Sequence, residues 1–222
     1  MIIWFIIFFI ILFVSLVLAY FSMRDYQEIP KVEKEYGIYL IRKPQFLTLQ
    51  TLNTIFDLSK GKILSFERLF KGRSQALVIF GPKKILSSRF SEILGLLELE
   101  DYTKVPGEIV AWEVERRDIE FSNNNIFSSI PYLEADEHFF WQLIVNRDQG
   151  QIRAVFISQN RERKKTLVSQ LENLGENYLK KVPRPLTGSQ ILENYRQRIF
   201  TPSQAFKVNP EEIRKIIGLP RK

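Results

Sequence analysis

Residues 76–106 read ALVIFGPKKILSSRFSEILGLLELEDYTKVP, and residues 153–183, 77 positions later, read RAVFISQNRERKKTLVSQLENLGENYLKKVP. Aligned without a gap, the two stretches match at Val78 and Val155, and both end in Lys-Val-Pro. Further identical positions follow in the same register: Leu94 with Leu171, and Leu97 with Leu174. Self-similarity at a fixed offset is the mark of a repeated supersecondary unit. The sequence therefore predicts a fold with two similar halves.

The first half, residues 36–107, predicts the element order strand, helix, strand, strand, helix, strand. β-Branched and aromatic residues indicate strands at residues 36–42, 63–70, 75–80 and, more weakly, 101–105. Apolar residues at helical spacing indicate helices at residues 46–59 and about 88–97. This order is that of a ferredoxin-like unit, in which two helices cover one face of a four-stranded antiparallel sheet.

The second half, residues 108–186, predicts a degenerate copy of the same unit. Strands are expected at residues 108–117, 138–146, 151–159 and 178–182. A helix that Asn160 caps and that ends at Gly175 is expected between the last two strands. The polar segment 122–136 replaces the first helix by a loop. Residues 187–222 form a helical tail, whose starts are marked by capping signals at Thr187 and Asn209. The predicted fold class is α+β.

Residues 1–23 contain no charged side chain and predict an N-terminal transmembrane helix. At 1.5 Å per residue such a helix reaches ~30 Å, enough to cross the hydrocarbon core. A cleaved signal peptide is the alternative, but no Lys or Arg precedes the apolar run. Positive residues follow it instead, and the positive-inside rule then places the rest of the chain in the cytoplasm. Residues 24–35 predict a juxtamembrane linker.

Composition excludes several classes of chemistry. The chain has no cysteine and one histidine, so disulfides, Cys-based zinc sites and a thiol nucleophile are excluded. The net charge of +7 is uneven, because residues 151–222 hold 15 of the 32 Lys and Arg residues but 6 of the 25 Asp and Glu residues. A basic last third suggests an anionic partner.

Two surfaces are candidate binding sites. The first is a candidate anion-binding patch, and its members are Arg161, Arg163, Lys164, Lys165, Lys180, Lys181 and Arg184. It is either a solvated face or a contact for nucleic acid or anionic lipid. The second is a candidate docking stripe at helical spacing, made of Ile191, Leu192, Tyr195 and Ile199.

His138 lies beside Glu134, Asp136 and Glu137, a set that could hold a divalent metal or supply a general base. A solvated loop entering a strand explains the same residues more simply. We therefore predict no metal, no cofactor, no catalytic residue and no small-molecule substrate.

Several segments together resemble the N-terminal, non-motor region of membrane-linked type IV secretion or conjugation ATPases. They are YGIYLIRKP at residues 36–44, ILSFERLF at 63–70, ALVIFGPKKI at 76–85, LEDY at 99–102, DEHFFWQLIV at 136–145 and KKVPRPLTGSQILENYRQRIF at 180–200. In that family, tandem ferredoxin-like units precede the motor domain. No G-x-x-x-x-G-K-[ST] run occurs here, so the resemblance does not extend to ATP hydrolysis.

The resemblance implies a motor on a separate chain. The resulting expectation is a single-pass, membrane-anchored, non-enzymatic interaction protein of a type IV secretion or DNA-transfer apparatus, with a transport ATPase as partner. The alternative expectation is a membrane-tethered binder of nucleic acid or anionic lipid, acting through the basic last third.

Overall fold

The computed structural model describes residues 11–16, 35–59, 61–117, 125–174, 178–182 and 186–219. Within these ranges no helix has the length and apolarity needed to cross a membrane, so the predicted transmembrane helix and the predicted single-pass membrane location are wrong. Of residues 1–23, the structure describes only 11–16, a helical stretch with exposed side chains. The remainder of this segment, and the predicted linker up to residue 34, lie outside the described residues.

One antiparallel sheet forms the centre of the fold. Its strands are β1 (Tyr36–Ile41), β2 (Ile63–Lys71), β3 (Ser74–Pro82), β4 (Leu96–Glu98), β5 (Glu108–Arg116), β6 (His138–Asn146), β7 (Gln149–Ser158), β8 (Leu179–Lys181) and β9 (Phe206–Lys207). Eight of them lie in the order β4-β1-β3-β2-β6-β7-β5-β8, and β9 pairs with β7 beside this path.

Helices connect and cover the strands. They are α1 (Leu49–Leu58), α2 (Lys83–Ile85, a π-helical turn Leu86–Phe90, then Ser91–Leu94), α3 (Arg161–Glu172), α4 (Gly188–Gln197) and α5 (Pro210–Ile216). Short 3-10 turns lie at Pro44–Phe46, Ile126–Ser129 and Pro202–Gln204. Three helices begin where the sequence predicts, because Asn160, Thr187 and Asn209 cap α3, α4 and α5. The helix α2 begins at Lys83, earlier than expected.

The prediction of two tandem ferredoxin-like units is wrong, because the two halves share one continuous sheet. β2 and β6 pair antiparallel over their whole length, from Ile63 opposite Asn146 to Lys71 opposite His138. The halves carry their strands in mirrored order, β4-β1-β3-β2 and β6-β7-β5-β8. Strand periodicity in the sequence shows which face of a strand is apolar, but it does not show which strand edges meet.

The predicted strand at residues 101–105 is also wrong. In its place Asp101 forms a turn, in which its Oδ1 accepts hydrogen bonds from the backbone N–H and the hydroxyl of Thr103 at 3.0 and 2.6 Å. Such an Asx turn satisfies the backbone locally and competes with a strand. The strand that closes the first half, β4, comes earlier and pairs with β1.

The sheet has two buried faces, which we call the apolar face and the α4 face. The apolar face packs against α1, α2, α3 and α5, and side chains such as Phe66, Phe139 and Trp141 are almost wholly buried there. The α4 face has a smaller cluster that includes Phe140 and Val155 and is covered by α4. Alternation along each strand sends successive side chains to opposite faces.

Candidate functional site

Buried charged side chains lie between α4 and the centre of the sheet. Arg198, which follows α4, donates from Nε to Oε1 of Glu67 at 3.1 Å and from Nη2 to Oε2 at 3.4 Å. Glu67 is on β2, and both side chains are almost fully buried. Two parallel bonds between a guanidinium and a carboxylate fix distance and orientation together. The ion pair therefore holds the end of α4 against the middle of the sheet.

Arg198 adopts a left-handed backbone conformation, with φ at 52°. This conformation ends α4, and its backbone N–H donates to Tyr195 O at 3.2 Å. A non-glycine residue in this conformation costs roughly 1–2 kcal/mol. Burial disfavours the charged guanidinium, but Glu67, Tyr195 and Asp101 together outweigh this effect and raise the pKa of Arg198.

A second buried pair crosses the neighbouring strands. Arg153 on β7 lies 3.4 Å from the Glu113 carboxylate on β5, and both are buried. Arg153 also donates to Gln151 Oε1 at 2.8 Å and to Gln142 Oε1 at 3.3 Å. Its Nη1 donates to the backbone oxygen of Asn194 in α4 at 3.1 Å. These bonds join three strands and α4 into one network.

Gln142 connects the two ion pairs. Its amide donates to Glu67 Oε1 at 3.2 Å and to Tyr195 O at 3.0 Å, while its Oε1 accepts from Arg153. Tyr195 donates its hydroxyl to Glu67 Oε2 at 3.3 Å, and burial together with the Glu67 charge raises the pKa of Tyr195 well above its ordinary value. Both carboxylates thus accept bonds from fixed donors, an arrangement that positions α4.

Sequence reasoning missed this network, although a signal was present. Glu67 stands inside ILSFERLF and Arg153 inside QIRAVFIS, so each interrupts an apolar strand. A charge in such a strand needs a buried partner. The sequence does not show that the partner of Glu67 is Arg198, because 131 residues separate them.

The predicted docking stripe faces inward. Ile191, Leu192 and Tyr195 are buried against the α4 face of the sheet, and Ile199 is half-buried. The amphipathic pattern of α4 was therefore correctly recognised, but the surface that it covers belongs to the same chain. While α4 is seated, these side chains are not available to a partner.

Acidic neighbours neutralise most of the predicted anion-binding patch. Glu108 pairs with both Arg161 and Lys164, and these bonds lower the pKa of Glu108. Arg163 donates to Glu137 at 2.7 Å. Two further pairs follow the same pattern: Lys180 with Glu115 at 2.6 Å, and Lys181 with Glu172 at 2.5 Å.

Lys165 is exposed and has no ion pair among the described residues, and Arg184 lies outside them. Five of the six described members of the patch thus have an acidic partner. The patch offers much less uncompensated positive charge than its sequence suggests.

His138 begins β6 and packs edge-on against Phe140, with 5.9 Å between the ring centroids. Of its acidic neighbours, Glu137 pairs with Arg163 and accepts from the backbone N–H of Glu134 at 2.7 Å. Across the part of the chain that the structure describes, no cluster of three His, Cys, Asp or Glu residues could hold a metal ion. The carboxylate of Glu137 instead anchors α3 to the loop before β6.

The two edges of the sheet differ in chemistry. At one edge, Leu97 in the middle of β4 is 50 % exposed. At the other edge, β8 presents Lys180 and Lys181, each in an ion pair. Lysines protect a sheet edge against strand addition, whereas exposed apolar side chains favour it. We call β4, with its exposed Leu97, the β4 edge; it is the better candidate for binding another chain.

Comparison with known proteins gives no relative: no family model matches the chain, and no curated protein is significantly similar to it in sequence.

Proposed function

We propose that this protein is a non-enzymatic interaction protein of a type IV secretion or DNA-transfer apparatus, which binds a partner protein such as a transport ATPase at the β4 edge. The observation that carries the proposal is the exposure of Leu97 at an open edge of the sheet. The resemblance of the strand and α4 segments to the non-motor region of conjugation ATPases supports the choice of apparatus.

Strand addition is the binding mode that suits this edge. β4 pairs with β1 on one side, and within the described chain its other side is open. An extended segment of the partner gains main-chain hydrogen bonds from the edge and specificity from alternate side chains. β4 has three residues and provides few such bonds. Contacts with Leu97 supply the apolar part of the affinity.

The buried ion pairs suit a scaffold. The Glu67–Arg198 and Glu113–Arg153 pairs are fully desolvated and joined through Gln142. Such a network fixes the position of α4 on the sheet. A rigid sheet presents its edge strand with little loss of conformational entropy on binding.

The alternative function, binding nucleic acid through the basic last third, has less support. Phosphate contacts require lysines and arginines that can release counterions on binding. Here Arg161, Lys164 and their neighbours already have carboxylate partners within the chain.

The test compares Leu97→Lys with Tyr132→Lys in the tagged full chain, expressed in the cells that encode it. Tyr132 is a matched control because it is also exposed but lies outside the β4 edge. A lysine at the centre of an apolar contact is expected to reduce recovery of the partner by roughly tenfold, whereas Tyr132→Lys leaves recovery unchanged. Affinity purification with mass spectrometry measures recovery, and circular dichroism confirms that both variants are folded.

Three outcomes contradict the proposal. The first is that the unmodified chain recovers no secretion or DNA-transfer subunit. The second is equal recovery by the unmodified chain and Leu97→Lys. The third is self-association that sedimentation detects and Leu97→Lys abolishes, which identifies a second copy of this chain as the occupant of the β4 edge.

A further inference from the structure

A groove with a volume of about 600 Å³ opens between the start of α1 and the end of α5. Small-molecule sites commonly measure roughly 300–1,000 Å³ and are mainly apolar with a few polar groups. This groove fits that description, since its lining includes Leu47, Leu49 and Leu219 together with Arg68 and Arg214. None of the described residues that line it is acidic. The groove therefore combines an apolar wall with two positive side chains.

Arg68 on β2 differs from the buried Arg153 and Arg198 in its lack of an acidic partner among the described residues. Arg153 and Arg198 each pair with a glutamate, whereas Arg68 has no carboxylate partner within the part of the chain that the structure describes. Burial lowers the pKa of Arg68, and no acidic neighbour offsets that effect. A half-buried guanidinium of this kind gains from an added anion.

The hydrogen bonds that Arg68 makes within the chain use only some of its N–H donors. Its Nε donates to Ile217 O at 2.8 Å, and its Nη2 donates to Gly218 O at 3.0 Å. These bonds hold the guanidinium at the end of α5, and the Phe127 ring lies 5.9 Å from its Cζ. A guanidinium has five N–H donors. The side chain is thus fixed in place at the groove and keeps donors for a ligand.

We propose that the groove binds a small organic carboxylate with an apolar body. The carboxylate lies at Arg68, whose guanidinium offers paired N–H donors to its two oxygens. The apolar body packs against Leu47, Leu49 and Leu219. The groove is separate from the β4 edge, so this site does not depend on the proposed partner.

The test is calorimetric titration of the full chain with octanoate, and with octan-1-ol as the uncharged counterpart. Octanoate is expected to bind saturably at one site and at least tenfold more tightly than octan-1-ol. Gln50→Glu places a negative charge in the lining of the groove and is expected to weaken octanoate binding about tenfold. Asn53→Asp makes the same change on an exposed position of α1 outside the lining and is expected to leave binding unchanged.

Arg68→Lys is the second variant, because it keeps the charge and removes the fork of donors. It is expected to weaken octanoate binding at least fivefold; thermal unfolding checks the end of α5, which Arg68 also holds. The proposal is overturned by absence of saturable octanoate binding, by equal binding of octan-1-ol, or by equal effects of Gln50→Glu and Asn53→Asp. Since Gln50 is exposed, its variant is expected to fold whatever Arg68→Lys does.

Discussion

The two faces of the sheet are both buried, but different interactions bury them. Along β6, Phe139, Trp141 and Leu143 point to the apolar face, where four helices cover aliphatic and aromatic side chains. The intervening Phe140 and Gln142 point to the α4 face, where one helix covers a mixture of apolar and charged groups. Sequence neighbours therefore experience two distinct environments.

The apolar face supplies folding free energy, whereas the α4 face determines where a helix lies. Burial of apolar area is strongly stabilising but non-directional, so many arrangements of helices satisfy the apolar face. A buried ion pair gives little net stability after desolvation, but it demands one geometry. The Glu67–Arg198 and Glu113–Arg153 pairs thus determine where α4 lies, while the apolar face supplies most of the folding free energy.

The largest expected effect is on the α4 face. Arg153→Met leaves Glu113 buried without its cation, and a loss of about 3–5 kcal/mol in the free energy of unfolding is expected. The double variant Arg153→Met with Glu113→Leu removes both charges and should recover at least half of that loss. Urea denaturation measures both. A loss of less than about 1 kcal/mol in the single variant would contradict this. It would show that burial of apolar surface, and not the ion pair, holds α4 on the sheet.

A smaller effect is expected on the apolar face. Leu143 is fully buried, and Leu143→Ala should cost about 3 kcal/mol through lost burial and the cavity left behind. Leu143→Met is the matched control, since it nearly conserves volume and should cost less than about 1.5 kcal/mol. Urea denaturation measures the free energy of unfolding of both variants. If both lose the same amount, the apolar face also depends on the exact shape of its side chains.

The smallest effect concerns His138, whose side chain belongs to the α4 face at the start of β6. Burial lowers the pKa of His138, and Lys71 adds to this effect while Asp136 opposes it. Below the unfolded value of about 6.5, the unfolded chain binds a proton that the folded chain does not. Stability should therefore fall as pH drops below that value and should not change through this group above it.

Chemical denaturation between about pH 7.5 and 5 measures this dependence, because the range includes the unfolded-state pKa of histidine, about 6.5. The slope from one histidine cannot exceed about 1.4 kcal/mol per pH unit. His138→Gln should flatten the curve, and an unchanged curve would assign the pH dependence to other groups.

Local signals in the sequence were reliable. The predicted caps are confirmed: Thr187 and Gln190 bond reciprocally at the start of α4, and Asn209 and Glu212 do so at the start of α5. Asn160 accepts from two backbone N–H groups at the start of α3. These features depend on residues three or four positions apart, so the sequence contains all of the relevant information.

The internal repeat was partly informative. The stretches aligned at an offset of 77 do contain corresponding strands and helices, since Val78 lies in β3 and Val155 in β7. The shared Lys-Val-Pro ending was misleading, because residues 104–106 follow the Asx turn at Asp101 and lie outside any strand. A short identical run carries less weight than the spacing of apolar positions, which reflects burial.

The sequence by itself determined the strands of the central hairpins, the starts of α3, α4 and α5, and the amphipathic character of α4. Only the tertiary structure decided that β2 pairs with β6, that Glu67 meets Arg198, and that Arg68 reaches the groove beside α5. The physical reason is distance along the chain. Periodicity and caps act within a few residues, whereas the partners in the buried ion pairs are 40 and 131 residues apart, and the chain between the paired strands β2 and β6 includes β3, β4 and β5.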